Sequence, residues 1–246
     1  MTSTAIVTGA SRGIGRALAA ELAAAGWRLA LMARDRSALE EVAAEAVAAG
    51  APAPHVEAFD ITDAAALAGA ADRALAFLDG RVDLLANNAG AAARRRRLED
   101  LTDADWAYDL DLNLMAPIRL ARHCFAALAE AKGLVVNVSS IVAGRASPTG
   151  GPYAAAKAGL ESFTRTLALE WARHGIRAVT VSPGYVDTDF NAESVASGYA
   201  EHFLKGVPTR TPIEPGEIAR VIVGLADHPS ITGTVVTVDG GRSINV

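Results

Sequence analysis

The chain has 246 residues, of which 51% are hydrophobic and 21% are charged. This composition is typical of a folded globular protein and excludes a disordered chain, which lacks the apolar surface that offsets chain entropy. The 23 Lys and Arg against 28 Asp and Glu give a formal net charge of −5. That acidic balance argues against a protein that binds nucleic acid by neutralising phosphates.

The single cysteine, Cys124, excludes an internal disulfide, and the five histidines do not have the spacing of metal ligands. The first residues lack the basic and apolar stretches of a signal peptide. No segment reaches the roughly 20 apolar residues that span a bilayer. We therefore expect a cytoplasmic protein with no metal and no membrane partner.

Short aliphatic segments alternate with longer Ala- and Leu-rich segments along the chain. The aliphatic segments predict seven strands, at Thr4–Thr8, Arg28–Ala33, His55–Phe59, Val82–Ala86, Leu134–Ser139, Arg177–Ser182 and Thr234–Val238. The other segments predict helices at Gly13–Ala25, Ser37–Ala49, Asp63–Leu78, Thr102–Ala129, Tyr153–His174 and Pro215–Ala226. Apolar strands that alternate with helices predict an α/β fold, a doubly wound seven-stranded parallel sheet with helices on both faces. We expect one domain over residues 1–246.

The least regular stretch, residues 187–211, mixes Gly, Ser, Pro and aromatic residues between the sixth strand and the last helix. This composition suits a substrate lid. An ordinary surface loop with a short helix is the alternative.

A glycine-rich turn joins the first strand to the first helix. In this turn Gly9 permits a tight bend, Gly13 a close approach of a ligand, and Gly15 close packing of helix on strand. Backbone N–H groups at the start of a helix attract a pyrophosphate. The strand, turn and helix together therefore predict a dinucleotide site.

The second strand indicates which dinucleotide binds. Arg34, not an acidic residue, stands 19 positions after Gly15, and Asp35 follows where it should point away. Arg34 and Arg12 favour NADP(H) over NAD(H), because a guanidinium matches the 2′-phosphate. The alternative is that both are solvated surface arginines. Asp60, after the third strand, is placed either to meet the adenine or to cap the next helix.

Four polar residues stand out against apolar or small neighbours. Tyr153 and Lys157 share one helical face, and a neighbouring ammonium lowers a phenol pKa so that tyrosine can act as a general acid or base. Ser140 follows the fifth strand, where open α/β sheets bind ligands. Asn113 interrupts an apolar segment, so its amide either bonds the helix backbone or holds a water.

These motifs occur in an order that resembles the short-chain dehydrogenase/reductase family over essentially the whole chain. The matching elements are the glycine turn Thr8–Gly15, Asp60-Ile61-Thr62, Asn87-Asn88-Ala89-Gly90, Asn113, Ser140, Tyr153-Ala-Ala-Ala-Lys157, Pro183-Gly184 with Thr188, and Val238-Asp239-Gly240-Gly241. Ser140 precedes Tyr153 by 13 residues, the spacing of the family's catalytic serine, so the adjacent Ser139 is the weaker candidate.

The resemblance implies a Rossmann fold and an NADP(H)-dependent oxidoreductase that interconverts a carbonyl and a secondary alcohol. Tyr153 would be the general acid or base, and Lys157 would lower its pKa and bind the nicotinamide ribose. Ser140 would bond the substrate oxygen, and Asn113 would hold a relay water. The implied cofactor contacts are Gly9, Ser11, Arg12, Gly13, Ile14, Gly15, Arg34, Asp60, Ile61, Asn88, Ala89, Gly90, Tyr153, Lys157, Pro183, Gly184, Val186 and Thr188.

Substrate and assembly are less determined. The resemblance implies a homodimer or homotetramer that forms through the two helices rich in small residues and the last strand. The run Arg94–Arg97 binds an anionic substrate or carrier, or is a solvated loop, which is the favoured interpretation. A 3-oxoacyl thioester reductase and an NADP(H)-binding regulator without turnover are alternative functions. In the lid, His202 is the histidine that could touch substrate.

Overall fold

The computed structural model describes residues 2–92, 96–188 and 203–245. Its seven strands are β1 (Thr4–Thr8), β2 (Arg28–Ala33), β3 (His55–Ala58), β4 (Leu84–Asn87), β5 (Leu134–Val138), β6 (Arg177–Pro183) and β7 (Val235–Val238). They form one sheet in the order β3-β2-β1-β4-β5-β6-β7, and every neighbouring pair is parallel. The order reverses between β1 and β4, which confirms the predicted doubly wound sheet.

Helices cover both faces of this sheet. Their bounds are α1 (Gly13–Ala24), α2 (Arg36–Ala48), α3 (Ala64–Phe77), α4 (Asp103–Leu110), α5 (Ala116–His123), α6 (Phe125–Ala131), α7 (Gly151–Trp171) and α8 (Pro215–Ala226). No helix in the described ranges combines the length and apolar character needed to cross a bilayer.

The inner strands β1, β2, β4, β5 and β6 are mostly apolar because each contributes to two cores. Ala5 and Val7 of β1 point into a core that includes α1, α2 and α8. Ile6, between them, points into the opposite core with α3, α5, α6 and α7. Successive side chains of a strand face opposite sides of the sheet. A strand covered on both faces therefore needs no polar alternation.

The predicted helix Thr102–Ala129 was wrong as one element. It begins after Thr102, whose hydroxyl accepts the N–H of Asp105 in a reciprocal capping box, and a π-helical turn at Asp111–Met115 interrupts it. Asn113, inside that turn, donates a hydrogen bond to Asp109 O. The helix breaks where a side chain bonds the backbone, and π-turns of this kind often occur at functional sites.

The other departures lie at element ends. α7 starts at Gly151 rather than Tyr153, because Pro152 occupies the first turn, where its missing N–H costs nothing. A short 3₁₀ turn, Ala172–His174, follows α7. β4 starts at Leu84 rather than Val82. These shifts leave the polar residues at the carboxyl ends of β1, β4, β5 and β6, where they meet at one edge of the sheet.

Candidate active site

The glycine turn after β1 is packed so closely that side chains cannot replace its glycines. A Cβ on Gly15 would lie 2.2 Å from Gly9 O, and one on Gly9 would lie 2.9 Å from Ala89 Cα. Gly9 and Gly13 also have positive φ, at 66° and 55°. A Cβ on Gly13 would lie 3.1 Å from Thr188 Cγ2, which places Thr188 beside the turn. Gly13 therefore has no side chain that would prevent a ligand from approaching its backbone closely.

Hydrogen bonds from the segment after β4 hold this turn in place. The Thr8 hydroxyl accepts the N–H groups of Asn88 and Ala89, both at 3.0 Å. Asn88 Nδ2 donates to Thr8 O at 3.0 Å and Gly9 O at 3.3 Å. Asn88 and Ala89 therefore stabilise the conformation of the glycine turn through these hydrogen bonds.

The amino terminus of α1 is open compared with those of the next two helices. Asp35 accepts the N–H of Ala38 and caps α2, and Asp63 caps α3. Arg12, the N-cap residue of α1, makes no side-chain capping bond within the described ranges, and Ser11 and Ile14 flank it. The first N–H groups of α1 therefore remain available to an anion, which fits a dinucleotide pyrophosphate.

Two guanidinium groups follow the neighbouring strands β1 and β2. Arg12 and Arg34 are both exposed, and neither makes an ion pair within 4 Å in the described part of the chain. Asp35 is engaged as a helix cap, so its carboxylate is occupied, in line with its predicted outward direction. An exposed, unpaired guanidinium keeps its five donors for a phosphate.

Asp60 shapes the turn after β3 rather than capping α3. Its Oδ1 accepts the Thr62 N–H at 3.0 Å and the Thr62 hydroxyl at 2.8 Å. These bonds, with a smaller effect of the Arg34 charge, lower the pKa of Asp60 below its ordinary value. The alternative that Asp60 caps the helix was wrong, because Asp63 does so. Ile61 is buried next to this turn.

Lys157 and Tyr153 lie on one face of α7. Lys157 Nζ donates to Val138 O at 2.8 Å and lies 5.6 Å from the centroid of the Tyr153 ring. The lysine is 3% exposed, and this burial lowers its pKa to about 8. An ammonium held at the phenol favours the phenolate through its charge.

Asn113 and Gly90 complete the same cluster. The Asn113 amide, fully buried, donates to Ala91 O at 2.9 Å, and its Oδ1 accepts the Ala91 N–H at 3.2 Å. A Cβ on Gly90 would lie 2.8 Å from Asn113 Oδ1 and 3.3 Å from Lys157 Nζ. Gly90 therefore lets the segment after β4 approach both side chains. Of the two options left open for Asn113, the structure shows the backbone bonds.

The two adjacent serines after β5 have different surroundings. Ser139 is buried, and its hydroxyl donates to Glu161 Oε1 at 3.0 Å. Ser140 is the N-cap of a 3₁₀ turn and accepts the Val142 N–H at 3.4 Å. Within the described ranges no hydrogen bond leaves the Ser140 hydroxyl for another residue. Its proton remains available to a ligand, which is consistent with the choice of Ser140 over Ser139.

Further predicted contacts follow β6. Gly184 packs on the carboxyl-terminal segment, since a Cβ there would lie 2.8 Å from Asp239 Cα. Val186 pairs with Ile213 in an isolated parallel bridge. Pro183 ends β6 at the same edge as the glycine turn. Residues 189–202 of the predicted lid, with His202, lie outside the described residues.

The structure describes two of the four residues in the arginine run Arg94–Arg97. Arg94 and Arg95 lie outside the described residues. Arg96 Nη1 stands 3.8 Å from Asp105, and Arg97 Nη1 stands 3.8 Å from Glu99. Both described members are thus partnered, which agrees with the favoured interpretation of a solvated, charged loop for this half of the run.

Sequence analysis missed a buried row of polar side chains beneath α7. Asn87 Nδ2 donates to Asn137 Oδ1, and Asn137 Nδ2 donates to the Thr164 hydroxyl, each at 2.8 Å. Asn87 and Asn137 are register partners on β4 and β5. Polar residues in otherwise apolar strands were the available signal. This row ties the helix that carries Lys157 to the sheet.

Comparison with known proteins identifies the family. A family model described as Enoyl-(Acyl carrier protein) reductase matches residues 9–243. A 3-oxoacyl-[acyl-carrier-protein] reductase of Synechocystis is 36% identical over 96% of this chain and 95% of its own length. Gluconate 5-dehydrogenase of Gluconobacter oxydans is 32% identical over 98% and 95%. A variant of actinorhodin polyketide ketoreductase solved with NADPH, 27% identical, superposes with a TM-score of 0.91 over 98% and 97%.

The chain therefore belongs to the short-chain dehydrogenase/reductase family of Rossmann-fold oxidoreductases. This confirms the resemblance drawn from the order of the motifs. The relatives include both dehydrogenases and reductases, so the family alone leaves the substrate and the cofactor open. No group of three or more His, Cys, Asp or Glu side chains within the described ranges is arranged to hold a metal ion.

Burial of Lys157 predicts a pH dependence of stability in the free protein. Below about pH 8 the folded and unfolded states both carry the proton, and the cost of burying the charge is fully present. Between pH 8 and the ordinary value of 10.5 the unfolded state binds more protons, so the free energy of unfolding rises with pH. We expect this rise, on the order of 3 kcal/mol, to disappear in Lys157→Met.

Denaturant unfolding across this pH range measures the difference between wild type and variant. Lys132→Met is the control, because Lys132 is exposed and the substitution removes the same charge. The control should keep the wild-type slope. An unchanged slope in Lys157→Met would show that the buried ammonium is not the group that titrates.

Proposed function

We propose that this protein is an NADP(H)-dependent oxidoreductase that interconverts a carbonyl and a secondary alcohol. The proposal rests on one cluster of side chains. Lys157, Asn113 and Gly90 converge beside Tyr153. Ser140 follows the end of β5. When bound, the nicotinamide supplies or accepts the hydride. The protein's own part is to bind, orient and move a proton.

Each side chain has a part that its surroundings support. Ser140, whose hydroxyl proton is uncommitted, donates a hydrogen bond to the substrate oxygen as negative charge develops there. Tyr153 gives its phenolic proton to that oxygen during reduction and takes it back during oxidation. The buried charge of Lys157 favours the phenolate, and its ammonium holds a ribose hydroxyl.

Asn113 acts on the water side of the site. Its carboxamide is fixed by two bonds to Ala91 and one to Asp109, and it stands next to Lys157 across Gly90. We propose that this fixed amide orients a water that returns the proton to Tyr153 by way of Lys157. The π-turn at Asp111–Met115 supports this role, because turns of this kind often occur at functional sites.

The bare glycine turn and the open start of α1 support the dinucleotide. Gly9, Ser11, Gly13, Ile14 and Gly15 would hold the pyrophosphate. The other contacts would come from segments after β3, β4 and β6. Those toward the adenosine would be Asp60, Ile61, Ala89 and Gly90. Those toward the carboxamide would be Pro183, Gly184, Val186 and Thr188. Arg12 and Arg34 would take the 2′-phosphate, and the solved NADPH complex of a relative is consistent with that cofactor.

Cofactor preference is testable at these two arginines. We expect a variant with both Arg12→Ser and Arg34→Ser to lose at least about a hundredfold in NADPH affinity, because each charged hydrogen bond contributes about 1.5–3 kcal/mol. NADH affinity should change less than about twofold. Titration of both cofactors measures this. Arg36→Ser is the matched control, since Arg36 is exposed nearby but faces Glu40 at 3.7 Å. Equal losses for NADH and NADPH would contradict a phosphate-binding role.

The substrate class is tested by loss of NADPH absorbance over a panel of carbonyl compounds. The panel includes a β-ketoacyl thioester, because a 3-oxoacyl-[acyl-carrier-protein] reductase is among the relatives. Turnover with NADPH well above NADH supports the proposal, and the best substrate narrows it. Tight NADPH binding without turnover on any carbonyl would favour the alternative, a binding regulator.

We also propose the homotetramer and the cytoplasmic location expected from the sequence.

A further inference from the structure

The Val238-Asp239-Gly240-Gly241 motif opens a tight carboxyl-terminal turn, residues Asp239–Asn245, to which the proposed function gives no part. Asp239 is 7% exposed, and its carboxylate accepts the Gly241 N–H at 2.9 Å and the Ser243 N–H at 2.6 Å. Burial by itself raises the pKa of this carboxyl, but the bonds from Ser243 and Gly241 outweigh it and hold the pKa below the ordinary value. The charged carboxylate therefore organises the turn.

This turn contacts two segments that follow β6. The Gly184 N–H donates to Val238 O at 2.9 Å, directly before the turn. The Thr209 N–H donates to Gly240 O at 3.2 Å, and the Asn245 amide donates to Gly206 O at 2.9 Å. The same turn thus holds the end of β6 and the segment that leads to α8.

A third contact reaches the loop of the proposed catalytic serine. Arg145 Nη1 donates to Arg242 O at 2.6 Å, and the bond is partly buried. The Arg242 guanidinium lies 5.4 Å from the centre of the Phe203 ring, and its Cζ would stand 3.1 Å from a Cβ on Gly206. Arg242 is therefore held on its other side, so its carbonyl is a fixed acceptor for Arg145.

Arg145 and Ser140 lie at the two ends of the same short element. Ser140 is the N-cap and Arg145 the C-cap of the 3₁₀ turn Ile141–Gly144. Two hydrogen bonds close this turn, from the Ala143 N–H to Ser140 O at 2.9 Å and from the Arg145 N–H to Val142 O at 3.3 Å. Holding the Arg145 side chain therefore holds the far end of a turn whose first residue is Ser140.

We propose that the carboxyl-terminal turn positions Ser140 through the Arg145–Arg242 bond, with Asp239 and Arg145 as positioning residues. Arg145 does not touch the reacting atoms in this scheme. It fixes the far end of a turn that follows β5 and packs against α7. The catalytic meaning of this link rests on the proposed function, but the link itself does not.

Hydrogen exchange at individual amides tests the link without any assay of activity. We expect Arg145→Met to speed exchange about tenfold at the Ala143 and Arg145 amides, as befits loss of one charge-assisted hydrogen bond. Asp239→Asn should produce the same change there, although residue 239 is nearly a hundred positions away along the chain. Arg145→Lys, which keeps a donor, should restore slow exchange. Arg173→Met, at an exposed site after α7, is the control.

Kinetics with the best carbonyl substrate test the consequence. Arg145→Met should lower kcat about tenfold and leave the Kd of NADPH within about twofold, and Arg145→Lys should recover most of kcat. The variant with both Arg145→Met and Asp239→Asn should be no slower than the worse single variant, because both act through one bond.

Some results would overturn the inference. One is faster exchange in Asp239→Asn that stays within residues 239–245 while the Ser140 turn is unchanged. Another is a wild-type kcat in Arg145→Met. Failure of the wild type to turn over any carbonyl would instead contradict the proposed function, and the exchange experiment would still decide whether the link exists. Arg145→Met keeps every backbone bond of the carboxyl-terminal turn, so it serves if Asp239→Asn does not fold.

Discussion

Tyr153→Phe is expected to lower the rate of carbonyl reduction by about 10²–10⁴-fold, the usual contribution of a positioned general acid. The substitution removes the phenolic hydroxyl and keeps the ring that lies 5.6 Å from Lys157 Nζ. Lys157 keeps its bond to Val138 O, so the Kd of NADPH should stay within about twofold. Steady-state kcat, with a parallel cofactor titration, measures both quantities.

Tyr108→Phe provides the matched control for this variant. It removes the same hydroxyl from an exposed tyrosine on α4, and its rate should equal that of the wild type. A Tyr153→Phe variant with wild-type kcat would refute proton transfer by Tyr153. Loss of NADPH binding together with activity would instead assign the tyrosine to the cofactor.

Gly15→Ala is expected to weaken NADPH binding by at least about a hundredfold. The added Cβ would lie 2.2 Å from Gly9 O and 2.7 Å from Asn88 Nδ2, distances that no side chain movement at position 15 relieves. The glycine turn or the start of α1 must shift, and the shift displaces the N–H groups that would face the pyrophosphate. Titration with NADPH and the unfolding midpoint together measure the effect.

Gly224→Ala makes the same chemical change inside helix α8, where no described atom beyond the local helix backbone lies within 4 Å of the added Cβ. It should leave cofactor affinity unchanged and stabilise the protein by up to about 1 kcal/mol, because Ala favours a helix over Gly. If Gly15→Ala binds NADPH like the wild type, the close packing of α1 on the glycine turn is not what shapes the site.

The sequence predicts the sheet well because its strands are covered on both faces. β1 and β2 have the predicted bounds, since an uninterrupted apolar run ends where the chain must turn. The long helix around Asn113 was predicted wrongly for an equally physical reason. Its π-turn contains Asn113, whose amide also bonds Ala91, 22 positions away, and local spacing contains no trace of such a contact.

In the candidate site too, the sequence predicts some features and only the fold reveals others. The spacing that the family resemblance implies favoured Ser140 over Ser139. The carboxylate that accepts the Ser139 hydroxyl belongs to Glu161, 22 positions further on, and only the fold reveals that bond. The sequence left Asp60 open as a cap of the next helix, and the fold gives that position to Asp63. The link from Arg145 to Arg242 spans 97 positions, so no pattern in either segment predicts it.

The most direct test of the central claim follows the hydride itself. The protein is given NADPH that carries deuterium at the transferable position of nicotinamide carbon 4, together with the best carbonyl substrate. We expect one deuterium on the former carbonyl carbon of the alcohol for each NADPH consumed, and none in Tyr153→Phe beyond its residual rate. NADPH consumption with no deuterium in the product, or deuterium on a carbon that was never a carbonyl, would contradict this expectation.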